Sequence, residues 1–370
     1  TNKMRNKLGA NDTRLPVTLL TGFLGAGKTT LLNAIIAQST GPKIAVIVND
    51  FGEVGLDHDL IDTVDEEVAL MKSGCLCCSI RGDLARVLQS LTARKQENLL
   101  TFDRIVIETT GLADPTPILH TFLVDPYLAR NFRIDGVVAV VDAATGSDTL
   151  DRQFEAVSQV AMADLLVLSK VDLVSKNMSG ALEIRLRTLN ATANILQAEH
   201  GVLPHASLWD LSGMRPQVTS EQAMAWLKPP TSELVFSDSL NNLSGFAPSS
   251  APTALLPKHD PRIGSATIVL EDPIPPDAFD RWLDTLISLR GPNILRVKGI
   301  VHLIGIEMPF VFHGVQHLFD PPVPLHDWLG STRQSRIVVI GRDITRSELV
   351  DSFEMLRTRK TPKLCEALSK

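Results

Sequence analysis

The run GFLGAGKT, residues 22–29, fits the pattern G-x-x-x-x-G-K-[ST], follows an apolar β-branched stretch and opens a helical one. Residue types at this spacing do phosphate chemistry. Gly22, Gly25 and Gly27 let the backbone curl until its N–H groups, those of Ala26 and Thr30 among them, face a polyphosphate. The start of the following helix adds positive potential, Lys28 reaches the outer phosphates, and Thr29 offers a hydroxyl to Mg²⁺. The reading is a nucleoside triphosphate site. Further along, SKVD, residues 169–172, directly follows the apolar run ADLLVL. The Asp172 carboxylate there can accept the two donors that guanine presents and adenine lacks, while the Lys170 stem covers the base, so the loop selects GTP. Ser169 stands where such a loop usually has Asn. That exchange removes an amide that buttresses the loop, and guanine preference is expected to survive with weaker affinity.

A second chemistry lies in GCLCCSI, residues 74–80, which holds three of the four cysteines of the chain. Cys75 and Cys77 are two apart and point the same way in an extended segment, whereas Cys78 points opposite unless the chain turns. Two or three thiolates with a carboxylate or a water make a tetrahedral site with one replaceable position. Soft ligands of this kind suit Zn²⁺ and also hold Co²⁺ or copper(I). A structural zinc site is closed by four protein ligands; an incomplete set is what delivery requires. Core packing and thiol redox chemistry are the competing readings of the three cysteines. Glu53, in NDFGEVGLD, follows a strand whose end faces the nucleotide and precedes the cysteines, which makes it the expected link between the two sites. Asp50, Asp57 and Asp59 read as solvated loop acids, and Cys365 as an exposed thiol in a polar tail. His313 and His317, in FHGVQH, read as residues on one face of a strand about 13 Å apart at the usual rise. They are expected at a surface or an interface.

These groups need a frame. The runs PVTLLTG, KIAVIVND, DRIVIE, DGVVAVVDA and ADLLVLSK alternate with helical stretches at KTTLLNAIIAQ, 81–95, 149–162 and 178–190. That order predicts an α/β fold, a P-loop doubly wound and mostly parallel sheet, over residues 14–228. Residues 229–262 turn to Ser, Pro, Asn and Thr and read as a linker. Residues 263–357 read as a smaller α+β domain with a split strand-helix-strand pattern. The 370 residues are 44% hydrophobic and 21% charged, with a net charge of -6, which argues against nucleic acid as a partner. The polar start TNKMRNKLGANDTRLP lacks a signal-peptide core, and no segment approaches the roughly 18 uninterrupted apolar residues of a membrane span. A cytoplasmic protein without membrane contact is expected. In that reducing compartment, clustered cysteines bind metal or do redox chemistry and do not form disulfides.

The strand DRIVIE ends in Glu108 and continues as TTG, where signalling GTPases carry Asp-x-x-Gly, an acid that assists Mg²⁺ and a glycine N–H for the γ-phosphate. Glu108 and Gly111 take those places. TLLTGFLGAGKTTLLN, NDFGEVGLD, GCLCCSIRGDL, VIETTGLADPTPIL, VVDA and SKVD occur in this order, with LRVKGIVHLIG, FHGVQHLF and SRIVVIGRDI beyond the linker. Over almost its whole length the chain thereby resembles the CobW-type metallochaperone GTPases, in the same class as the nickel-handling GTPases of hydrogenase and urease maturation. The resemblance implies GTP hydrolysis coupled to handling of a divalent transition metal, zinc or cobalt, for a client metalloenzyme. The expected metals are Mg²⁺ and Zn²⁺ (or Co²⁺). The expected partners are GTP and GDP, a client metalloprotein, and a second copy of the chain in a nucleotide-dependent homodimer. Lys28 and Glu108 are the expected catalytic residues, acting slowly because no arginine finger is assignable; Arg81, near the cysteines, has no assigned role. Some members carry Glu directly before the Asn of NDFGEVGLD, where this chain has Val48, so a secondary metal site involving that position is not expected. With His259 alone in the linker, storage of many ions is not expected either. Two further readings stay open on the residues: a metal sensor or buffer that binds GTP without useful turnover, and a nucleotide-driven assembly factor with inert cysteines.

Overall fold

The computed structural model describes residues 12–37, 42–50, 68–72, 79–199, 201–203, 205–215, 218–227, 263–326, 328 and 334–357. Glu53, Asp57, Asp59, Cys75, Cys77, Cys78, Cys365 and the expected linker at 229–262 lie outside the described residues. The first domain is built on β1 (Leu15–Gly22), β2 (Ile44–Asp50), β3 (Val68–Lys72), β4 (Arg104–Glu108), β5 (Phe132–Asp142), β6 (Leu165–Ser169) and β7 (Asn194–Gln197). They form one seven-stranded sheet in the order β3-β2-β4-β1-β5-β6-β7, with every pairing parallel. The central strands are buried on both faces, which is why they read as continuous apolar runs. The edge strand β7 has only Ile195 and Leu196 as apolar residues, and neither β3 nor β7 is among the runs read from sequence.

Connecting the strands are α1 (Lys28–Ile36), α2 (Ser79–Gln96), α3 (Thr116–Val124), α4 (Pro126–Asn131), α5 (Gly146–Arg152), α6 (Phe154–Met162), α7 (Lys176–Leu189) and α8 (Ser220–Leu227). The single helix expected at 149–162 is two. Gln153 is extended, with φ -117° and ψ 115°, and separates α5 from α6. The polar α5 keeps several side chains in water while α6 is buried throughout from Ala156 to Met162, and one straight axis cannot serve both. Side chains alternate across the sheet as the strand period requires. Val17 and Leu19 join Leu84 and Leu88 of α2 and Ile118 and Phe122 of α3 on one face, and Leu20 and Val46 join Leu31 and Leu32 of α1 on the other.

The second domain contains β8 (Ile263–Leu270), α9 (Pro276–Arg290), β9 (Ile294–Val301), β10 (Phe310–Val315), β11 (Leu318–Phe319), β12 (Val323–Pro324), β13 (Ser335–Arg342) and α10 (Arg346–Phe353). The sheet order is β11-β10-β9-β13-β8, with β12 beside β10. Antiparallel β13 lies between β8 and β9, which α9 connects, so the strand-helix-strand unit is split as its sequence order predicts. Val297, Val301, Phe312 and Val339 pack with Trp282 of α9 and Phe353 of α10. The alternate positions, Ile300, Val311, Val315 and Val338, join the hydrophobic cluster of the first domain. This sheet therefore spends one face on its own helices and the other on its neighbour domain.

Candidate functional site

The phosphate loop lies between the end of β1 and the first turn of α1, at the carboxyl edge of the parallel sheet, where an open α/β fold places its ligand. Gly22, Gly25 and Gly27 have φ of 141°, 71° and 96°. The loop is closed by Ala26 N–H donating to Phe23 O at 3.1 Å. Lys28 is buried and folds back across the loop, its Nζ donating to Gly22 O at 2.9 Å and Phe23 O at 3.2 Å. Those carbonyls hold the ammonium where an anion can exchange for them. Thr29 Oγ1 donates to Glu108 Oε1 at 3.1 Å. Gly111 closes the far wall, where an added Cβ would stand 2.5 Å from Leu24 N. Together Leu24, Gly25, Gly27, Lys28, Thr29, Glu108 and Gly111 line a cleft of about 420 Å³. Thr30 and Val48 line it as well, so the position at which some relatives are expected to carry Glu presents an apolar wall here.

Two loops not adjacent in sequence meet this cleft. After β6 the chain enters a short turn, Val171–Leu173, through Lys170 in a left-handed conformation with φ 55°. Ser169 Oγ donates to Ala26 O at 2.6 Å. The amide expected at position 169 is missing, but the hydroxyl still ties the turn to the phosphate loop. Lys170 Nζ donates to Gly25 O at 2.8 Å and to Asp142 Oδ2 at 2.7 Å. Burial alone would raise the Asp142 carboxyl, yet Lys170 and the Ala144 N–H hold it below the ordinary carboxylate value. Asp172 lies exposed in the turn. The second loop, residues 109–114, leaves β4 with Thr109 Oγ1 donating to Thr21 Oγ1 at 2.8 Å. It is gripped from α6 by Gln159, whose Nε2 donates to Gly111 O at 3.2 Å and Ala113 O at 3.0 Å.

The residues named from sequence for nucleotide binding and catalysis, 22, 25–30, 108, 111, 169, 170 and 172, lie at one edge of the sheet: Gly25, Gly27, Lys28, Thr29, Thr30, Glu108 and Gly111 line the cleft, Gly22 and Ala26 belong to the phosphate loop, Ser169 and Lys170 are bonded to that loop, and Asp172 is exposed in the turn. Asp142 and Gln159 join this site from outside the phosphate loop and the 169–172 turn. Asp142 ends the apolar run VVAVVD, a position that in a parallel sheet faces the ligand edge, whereas Gln159 carries no local signal. Among the described residues no three His, Cys, Asp or Glu side chains are grouped to hold a metal. The histidine expectation needs correcting. His313 is in β10, but His317 occupies the two-residue turn before β11, because Gly314 pairs with Phe319 and Val315 with Leu318. The Gly and the following polar pair favour a hairpin over one long strand. His313 is an interface residue: its Nδ1 is 2.9 Å from Asp320 Oδ2, its ring meets Trp226 edge-on at 6.0 Å, and burial pushes its pKa down. His317 is exposed beside His120 of α3, ring centres 5.4 Å apart. Among the described residues no helix is long and apolar enough to cross a membrane.

Comparison with known proteins agrees with this architecture. Residues 16–197 match the family described as CobW/HypB/UreG, nucleotide-binding domain, and residues 263–357 match the Cobalamin synthesis protein cobW C-terminal domain. The chain is 32% identical over 343 residues to the zinc chaperone YjiA of Escherichia coli, covering 93% of this chain and 99% of that one. It is 30% identical to zinc-regulated GTPase metalloprotein activator 1 of Schizosaccharomyces pombe, covering 90% and 83%. A crystal structure of Zn(II)-bound YjiA GTPase from E. coli superposes with a TM-score of 0.69 at 28% identity, covering 93% and 99% of the two chains. With both domain descriptions matched in order and this identity along nearly the full length, the chain belongs to the CobW family of P-loop nucleotide-binding proteins.

Proposed function

We propose that the chain is a GTP-hydrolysing metallochaperone that carries a divalent transition metal, zinc ahead of cobalt, to a client metalloprotein. The observation that carries the nucleotide half is the direct bonding of the 169–172 turn to the phosphate loop, Ser169 to Ala26 O and Lys170 to Gly25 O. A base-reading turn and a phosphate cradle joined in this way form two ends of one site. Lys28 and the backbone of residues 22–30 stabilise phosphate charge, Lys170 and Asp172 read guanine, and Gly111 meets the terminal phosphate. The Thr29 hydroxyl and the Glu108 carboxylate, hard oxygens 3.1 Å apart, fit Mg²⁺ and would hold it. When bound, Mg²⁺ neutralises charge on the outer phosphates.

The cargo half rests on residue chemistry. Cys75, Cys77 and Cys78 are soft ligands for Zn²⁺ or Co²⁺, and Glu53 adds a carboxylate. Glu53 follows the end of β2 in sequence and the cysteines follow the end of β3, and both strands end at the sheet edge that carries the phosphate loop. The names of the relatives, zinc chaperone and zinc-regulated metalloprotein activator, support zinc. A client metalloprotein and a nucleotide-dependent second copy are the partners of this reading, in the cytoplasm.

The test is zinc titration of the purified chain loaded with GTP or with GDP, alongside Cys77→Ser. Coupling typically amounts to about 1–3 kcal/mol, so zinc affinity should differ roughly 5- to 150-fold between the two nucleotide states. Cys77→Ser should lose zinc affinity and keep nucleotide affinity. Equal zinc affinity in both states rules out nucleotide-controlled delivery.

A further inference from the structure

Gln159 is a buried polar side chain of α6 that reaches the turn beside the nucleotide cleft, and nothing in the phosphate or guanine chemistry above requires it. It is 1% exposed. Both of its amide bonds go to one short turn, Gly111 O at 3.2 Å and Ala113 O at 3.0 Å. The turn is itself closed by Ala113 N–H donating to Thr110 O at 3.1 Å. Two carbonyl oxygens can be met only by N–H groups, so the amide orientation is chemically dictated. Next to it Ser158 Oγ approaches Asp114 Oδ1 at 3.5 Å, and Asp114 in turn accepts from Thr116 at the start of α3. From the other side Gly111 rests on Leu24 of the phosphate loop. The turn that follows Glu108 is therefore held between the phosphate loop and α6. Because peptide units are planar, holding the Gly111 and Ala113 carbonyls fixes the Leu112 and Asp114 N–H groups, and with Ala113 N–H bonded to Thr110 O this fixes the short turn that carries the Gly111 N–H.

We propose that Gln159 is a positioning residue for GTP hydrolysis: it fixes the 110–113 turn and thereby the direction in which the Gly111 N–H faces the transferring phosphate. This rests on the GTPase reading above. Preorganised backbone donors act at the transition state, where charge moves on the γ-phosphate, more than on a bound product. Loss of the Gln159 amide should consequently fall on kcat and leave GDP binding alone.

The test uses the full chain and two variants. Gln159→Met keeps length and flexibility but has no donor, and Gln159→Glu keeps shape but turns an acceptor toward two acceptors. Each should lower kcat for GTP by about 10- to 100-fold, the scale of a modest misplacement of a reacting group, with GDP affinity and thermal stability close to wild type in at least the Met variant. Gln159→Glu alone should recover activity on acidification, since a protonated carboxyl restores one donor. A kcat unchanged in both variants, or a fall in kcat matched by an equal fall in GDP affinity, overturns the inference. A wild-type chain that turns over no GTP overturns the GTPase reading along with it, whereas an active wild type with unaffected variants overturns this inference alone.

Discussion

In the proposed reading, guanine selection rests on one exposed carboxylate. Asp172 sits in the Val171–Leu173 turn, while the rest of the loop is tied down by Ser169 and Lys170. Asp172→Asn exchanges an acceptor oxygen for a donor and should leave the turn in place. GTP affinity should fall by roughly 100-fold or more while ATP affinity is nearly unchanged, because only guanine presents donors that lose their partner. Competitive nucleotide titration of wild type and variant checks this, and equal affinity of the wild type for GTP and ATP would remove the assignment. Ser169 shows how a departure from the usual pattern is absorbed. A hydroxyl is shorter than an amide, but at 2.6 Å from Ala26 O it bonds the loop directly.

Among the elements, the turn after β4 is held from two sides, by Gln159 and by the phosphate loop. Its position depends on a side chain that is absent: a Cβ on Gly111 would lie 2.5 Å from Leu24 N and 2.7 Å from Leu24 Cα, backbone atoms that cannot swing aside. Gly111→Ala must displace either the phosphate loop or the turn that Gln159 holds. The expected cost is about 1–3 kcal/mol of stability, the usual range for overpacking, with GTP turnover reduced as well. Urea unfolding and steady-state hydrolysis measure the two effects. Full activity in Gly111→Ala would mean that the two loops are free to separate. The elements beside this turn were unevenly legible. The apolar strands and α1 announce themselves, whereas the break at Gln153 follows from the burial of α6 and has no Pro or Gly to mark it.

For the whole molecule, the joint between domains is a buried charge cluster. Asp164 accepts from Arg296 Nη2 at 2.5 Å, Lys298 Nζ at 3.2 Å, Trp226 Nε1 at 2.9 Å and Val137 N–H at 3.0 Å. Arg296 also donates to Met162 O at the end of α6. Burial alone would raise Asp164, but Arg296 and Lys298 hold it well below the usual carboxylate range, so its contribution to stability is lost as pH falls below the unfolded value. Lys298 has the opposite sign. Burial and then Arg296 push it down from 10.5 to about 7, so between those values the unfolded chain holds a proton that the folded chain lacks. Its contribution to stability rises with pH across that window and is level below it. Lys298→Met should abolish the alkaline rise and, below about pH 7, leave the chain as stable or up to roughly 4 kcal/mol more stable, whereas Arg296→Met should cost about 3–5 kcal/mol by stripping a buried carboxylate of its main partner. Denaturation midpoints across the alkaline range separate the two, and an unchanged pH slope in Lys298→Met would reject this account.

From sequence alone one can read the phosphate loop, the turn at 169–172, the parallel strand runs and the two-domain order. Each is written within a few neighbouring residues: glycines where the backbone must curl, a lysine one step on, and apolar runs where both faces of a strand are covered. What only the tertiary structure decided are the contacts between distant segments. Gln159 meets Gly111 across 48 residues, Lys170 meets Asp142 across 28, and Arg296 meets Asp164 across 132. In ILRVKGIV nothing local marks Arg296 and Lys298 as interior residues, yet both are buried. Water is the default partner for a charge in an isolated strand, and a cation is buried only when the fold brings it a carboxylate, here Asp164 from the other domain.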